Sequence, residues 1–83
     1  MDVREEIEAW VLGIHRRNGG CLDRLEVQWR LLEPVLRLDS LDLAEVMVLV
    51  ERRWGFSPFD GPMPPRTWGE LVERVEKGKR VER

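Results

Sequence analysis

Asp39-Ser40-Leu41-Asp42-Leu43-Ala44-Glu45-Val46-Met47-Val48-Leu49-Val50-Glu51-Arg52-Arg53-Trp54-Gly55 is the stretch that decides the fold. Leu43, Val46, Met47, Val50 and Trp54 recur at helical spacing and make one apolar stripe. Asp39 is a residue type that caps helix N-termini, and Asp42 lies beside the free amides of the first turn. Gly55 supplies the left-handed end that glycine accepts most readily. The pattern predicts a helix over residues 40–54.

Working outward, Val3, Ile7, Trp10, Val11 and Ile14 repeat the same period, with Arg4, Glu5, Glu6 and Glu8 between them. Asn18-Gly19-Gly20 stops that run, so a first helix is expected over residues 2–17. Residues 21–38 are rich in leucine and valine but keep no period, and Pro34 breaks any helix through them. They read as a long connection pinned to the core by apolar side chains, with a short helical turn expected near Asp23–Val27. Residues 57–66 hold four prolines in ten positions, which leaves room for no more than one helical turn. Thr67-Trp68-Gly69-Glu70 has the form of a capping box. Leu71, Val72 and Val75 then give a last helix its buried face, with its end expected near Gly78. The tail, residues 79–83, is charged and is expected to fray. No strand pattern occurs, so the fold class is all-α: one domain over residues 1–78.

Eighty-three residues allow one domain with a thin core. A chain of this size buries roughly 60% of its unfolded surface, which leaves little mass for a deep catalytic cleft. The net charge is -2, but its placement says more. Residues 39–51 contain Asp39, Asp42, Glu45 and Glu51 and no base. That block argues against nucleic acid, which needs a basic footprint, and suits a partner with a basic surface. Cys21 is alone and excludes an intrachain disulfide. The acidic start has no apolar run behind it, so no signal peptide is read. The longest aliphatic run, Val46 to Val50, is far short of a membrane span. Cytoplasmic localisation, no membrane insertion and a monomer are the expectations.

Ser40 is one of two serines in the chain and stands at the first turn of the best-defined helix. Leu36-Arg37-Leu38-Asp39-Ser40-Leu41-Asp42-Leu43-Ala44-Glu45 resembles the phosphopantetheine attachment motif of acyl carrier proteins. Glu51-Arg52-Arg53-Trp54-Gly55-Phe56 resembles the end of that family's second helix. Thr67-Trp68-Gly69-Glu70-Leu71 resembles the start of its last one. The resemblance spans roughly residues 2–77. It implies an acyl-carrier-protein-like four-helix bundle, with the third helix short or degraded by the prolines. It also implies a 4'-phosphopantetheine arm, taken from coenzyme A, on Ser40.

The implied protein has no catalysis of its own. Its implied partners are a phosphopantetheinyl transferase, an acyl-loading ligase or acyltransferase, and ketosynthase-type enzymes. Leu41, Ala44 and Val48, rimmed by Asp39, Asp42, Glu45 and Glu51, form the expected docking face. Three departures stand out. Arg37 replaces the family's usual glycine, the proline cluster replaces its third helix, and Arg52 and Arg53 reverse the sign at the end of its second. They point away from housekeeping fatty-acid synthesis and toward a specialised fatty-acid-like or polyketide-like pathway. An amino-acyl or peptidyl carrier and an unmodified helical interaction module are the other readings.

The remaining chemistry-bearing residues have plainer explanations. Trp10, Trp54 and Trp68 sit at core positions of the pattern, whereas Trp29 fits none. His15 lies near the end of the first helix, where the helix dipole favours it. A pairing of His15 with Cys21 lacks a third orienting group. No metal-ligand spacing and no glycine-rich phosphate loop occur.

Overall fold

The structure is a computed structural model that describes residues 2–81, with side chains through Gly78. Three helices form: α1 over Val3–Arg17, α2 over Ser40–Trp54 and α3 over Trp68–Val81. A single 3₁₀ turn, Pro34–Leu36, lies between α1 and α2. Among the described residues there is no strand, only one isolated antiparallel bridge between Arg30 and Thr67. The all-α class stands. Residues 57–66 contain turns and bends but no helix, so nothing helical lies between α2 and α3.

α1 forms because Val3, Ile7, Val11 and Ile14 bury one face and Asp2 caps its start. The Asp2 carboxylate accepts from the Glu5 amide at 2.8 Å, and Glu5 reaches back to the Asp2 amide at 3.3 Å. α1 is the central element, packing against both α2 and α3. Val46, Val50 and Trp54 meet it from α2; Trp68, Leu71, Val72 and Val75 fill the core from α3. Near the end of α2, Trp10 and Trp54 pack with ring centroids 5.6 Å apart. Arg53 lies over the Trp54 ring and binds both Glu6 oxygens at 2.8 and 3.2 Å. One of the two arginines expected to make that end basic is therefore spent inside the fold.

The connection after α1 is pinned as the sequence suggested, through buried Leu25, Leu31, Leu36 and Leu38. Its helical turn lies at Pro34–Leu36, not near Asp23–Val27. Proline at the first helical position fixes φ and gives up an amide that would have no partner there, so it starts a turn more readily than it sits inside one. Polar bonds complete the pinning. Glu8 accepts the Leu25 amide at 2.7 Å.

His15 does more than sit at a helix end. It is 2% exposed, with Nδ1 2.8 Å from the Leu36 carbonyl and Nε2 accepting the Leu22 amide at 3.1 Å. Those two partners place the proton on Nδ1. Gly20 is required beside it, because a Cβ there would overlap the imidazole.

α3 starts on borrowed carbonyls. The Trp68 and Gly69 amides donate to Trp29 O and Val27 O at 3.1 and 2.8 Å, and Thr67 Oγ1 accepts from Glu70 at 3.2 Å. The free amides of its first turn are thus accounted for. Glu70 reaches back one residue further than expected, to the Arg66 amide at 2.7 Å. The helix also runs past Gly78 to Val81. Gly78 is not a terminator: the Phe56 ring occupies the space where its side chain would stand. The expected frayed tail is helical in backbone through Val81, and Glu82 and Arg83 lie outside the described residues.

Two measurements check this arrangement. Thermal melts should separate two glycines in helices. Gly13→Ala, in open space on α1, should stabilise by about 0.5–1 kcal/mol through helix propensity. Gly78→Ala should lower the melting temperature despite the same propensity gain, because the Phe56 ring must move. His15→Phe should cost about 3 kcal/mol in urea unfolding, since it strands the Leu22 amide and the Leu36 carbonyl without partners. A cost under about 1 kcal/mol would mean that the imidazole does not hold the connection.

Candidate functional site

Ser40 stands at the first helical position of α2 and is exposed. Two elements place it there. Buried Leu36 and Leu38 fix the approach of the chain. Between them Arg37 adopts a left-handed backbone, φ 59° and ψ 32°, the one such non-glycine residue among those described. That conformation costs a residue with a Cβ about 1 kcal/mol. It turns the chain out of the 3₁₀ turn and directs residues 39–42 into a new helix. The Asp39 side chain then accepts from the Asp42 amide at 2.9 Å, and the Asp42 side chain accepts from the Asp39 amide at 3.2 Å. Ser40 sits inside this reciprocal cap, beside the positive end of the helix dipole.

The end of α1 grips the same segment. Asn18 Nδ2 donates to the Arg37 carbonyl at 2.7 Å and to Asp42 Oδ2 at 2.9 Å. Arg17 Nη2 lies 3.1 Å from Asp42 Oδ1, and its guanidinium spans both Glu45 oxygens at 3.0 and 3.4 Å. The Asp42 carboxyl is held below the usual carboxylate range. The Asp39 amide is the main cause, then Asn18; partial burial opposes them, and Arg17 adds its own lowering effect. Neither Arg17 nor Asn18 was expected at the site. Both lie more than twenty residues away in sequence. The signal available was a basic residue and an amide at the end of one helix and paired acids at the start of the next.

The other expected docking residues fall into two groups. Leu41 is 78% exposed, and Ala44 and Val48 are exposed on the same face at helical spacing. Glu51 is exposed on the last turn of α2, and Glu45 is half-exposed in its pairing with Arg17. Asp39 and Asp42 are brought beside Ser40 as well; Asp39 is exposed with one oxygen on the Asp42 amide, whereas Asp42 also binds Asn18 and Arg17 of the first helix end.

Clefts open on the surface of the described residues at either end of α2. The smaller, about 300 Å³, is lined by Arg37, Val35, Pro34, Leu22 and Cys21 and adjoins the approach to Ser40. The larger, about 640 Å³, lies between the proline loop and α3, with Phe56, Pro58, Arg74 and Lys77 on its walls. It begins beyond the opposite end of α2, about 20 Å along the helix from Ser40. Cys21 is exposed, but both His15 nitrogens bind backbone, so His15 has no lone pair free to activate a thiol. Among the described residues, no group of three His, Cys, Asp or Glu side chains could hold a metal ion. Nor is any described helix long and apolar enough to cross a membrane.

No protein-family model, curated protein or solved structure matches the chain.

The Asp42 cluster gives a pH test. A carboxyl with a lowered folded-state pKa stabilises the fold above about pH 4. That contribution fades as pH falls through the lowered value. Asp42→Asn should lower the melting temperature at pH 7 and flatten its fall between about pH 5 and pH 2. Parallel acid limbs for the two proteins would show that the cluster does not contribute to the acid transition.

Proposed function

We propose that the chain is a stand-alone acyl carrier protein, with a 4'-phosphopantetheine arm on Ser40 that carries acyl intermediates as thioesters. One observation carries this reading. The left-handed backbone at Arg37 falls where acyl carrier motifs, which this stretch resembles, have glycine, three positions before the serine. Arg37 adopts the backbone that glycine favours although it carries a side chain. In this reading the proline loop stands in place of the family's third helix, and α1, α2 and α3 correspond to its other three.

The residues present fit the arm. Ser40 is exposed at a helix start. Its oxygen becomes the phosphodiester oxygen when a transferase opens the pyrophosphate of coenzyme A. The adenosine portion leaves with the other phosphate, and the serine proton passes to the transferase's base. The arm supplies a terminal thiol on a flexible tether. Asp39, by capping α2, holds Ser40 at the helix start, and the exposed Leu41, Ala44 and Val48 offer the contact face. The protein then works by presentation, keeping its cargo at high effective concentration for successive enzymes. An acyl-loading ligase or acyltransferase and ketosynthase-type enzymes are the partners this role calls for. No catalytic residue is assigned to the chain, and the role belongs in the cytoplasm, where coenzyme A is at hand.

Intact-protein mass tests the proposal. After incubation with coenzyme A, magnesium and a broad-specificity phosphopantetheinyl transferase, the parent should gain one phosphopantetheine and Ser40→Ala none. Failure of the folded parent with several transferases would replace the carrier reading with an unmodified interaction module. Gain on both proteins would place the arm elsewhere. Ligases loading acyl or aminoacyl groups onto the modified protein then separate an acyl carrier from an amino-acyl one.

A further inference from the structure

The acid block beside Ser40 looks like a bid for a basic partner, but two of its four carboxylates, Asp42 and Glu45, already share one guanidinium within the fold. Asp39 and Asp42 satisfy each other's amides. Asp42 is 14% exposed and also takes Asn18 and Arg17. Both oxygens of Glu45 lie on the Arg17 guanidinium. Glu51 is exposed on the last turn of α2, away from this pair. Arg37 adds a further exposed cation three residues before Ser40. Beside these charges the face is apolar: Leu41, Ala44 and Val48, all exposed.

We propose that Arg17 is the specificity-determining residue of the Ser40 face, an internal counter-ion that makes the face suit an apolar, weakly charged partner surface and disfavour strongly basic ones. This rests on the carrier reading. The physical reason is competition. An incoming lysine or arginine gains little from Asp42 or Glu45 unless Arg17 lets go, and what it gains is then offset by the pair that is broken. Long-range attraction is reduced for the same reason, because the potential outside reflects the summed charge of acids and arginine. Apolar burial at Leu41 and Val48 has no such internal competitor. Sequence alone read the block as four open carboxylates because Arg17 lies on another helix.

The test uses the same transferase reaction, with a transferase whose docking surface is basic, followed by intact mass at several protein concentrations and ionic strengths. The parent should show a shallow fall of kcat/KM with salt. Arg17→Gln, with unchanged helical circular dichroism, should raise kcat/KM about two- to fivefold at low salt. The gain should come through KM and fade toward about 0.5 M salt. Glu45→Gln should change the parent less than about twofold yet remove most of the gain in the Arg17→Gln background, a non-additivity that marks the pair. Leu41→Ala should raise KM more than Glu45→Gln does. Unchanged or lower kcat/KM in folded Arg17→Gln would overturn the proposal. A steep salt dependence in the parent would overturn it without recourse to any variant. Both results leave the carrier reading intact, whereas a parent that gains no mass removes that reading and this inference together.

Discussion

The chain has to hold residues 18–39, a long connection without regular helix beyond one 3₁₀ turn, against a thin core. The His15 imidazole is the constraint on which this depends. One ring nitrogen binds the start of the connection at Leu22 and the other binds its far part at Leu36. Because α1 supplies the ring, both parts of the connection are fixed relative to the same helix. Leu36 and Leu38 then enter the core, Arg37 is forced into its left-handed turn between them, and α2 begins where Asp39 can cap it. The position of Ser40 is set by that sequence of events, starting from a residue buried on a different element. Gly20 belongs to the same device, since a side chain there would take the space of the ring.

The starts of α2 and α3 solve the same problem by different means. At the Ser40 end, charged and amide side chains of Arg17 and Asn18 hold the start of α2. At the start of α3, backbone carbonyls of residues 27 and 29 take the first amides, and the isolated bridge at Arg30 and Thr67 aligns the chains. The price of the second solution is visible in Trp68. Its indole Nε1 is fully buried, and among the described residues it finds no acceptor. A buried donor left so costs about 1–3 kcal/mol, which the large apolar area of the ring offsets.

The helices were legible because their signals are local. The stripe Val46, Val50 and Trp54, the Asp39 cap and the Gly55 end all lie within one helix length, and α2 has the bounds they imply. The proline loop was legible for the same reason. Contacts between distant segments were not. Nothing around His15 reveals that its ring is buried between Leu22 and Leu36, so a favourable helix-end interaction was the natural reading. Gly78 resembles a helix stop, because the Phe56 ring that needs the gap lies more than twenty residues away. At the candidate site, the exposure of Ser40, Leu41 and Val48 followed from helical phase. The pairing of Asp42 and Glu45 with Arg17 depends on how α1 ends against α2, which no periodicity encodes.

α2 and α3 each pack mainly on α1, and this radial plan has a consequence for motion. Amide hydrogen exchange in such a molecule is governed by which unit opens at least cost. α3 can loosen together with the proline loop, through the Phe56–Gly78 contact, while α1 and α2 stay closed around the Trp10–Trp54 pair. The opposite event, release of α1, dissolves both interfaces at once and amounts to global unfolding. Loosening of either outer helix is thus a subglobal event, since the other keeps its own interface with α1.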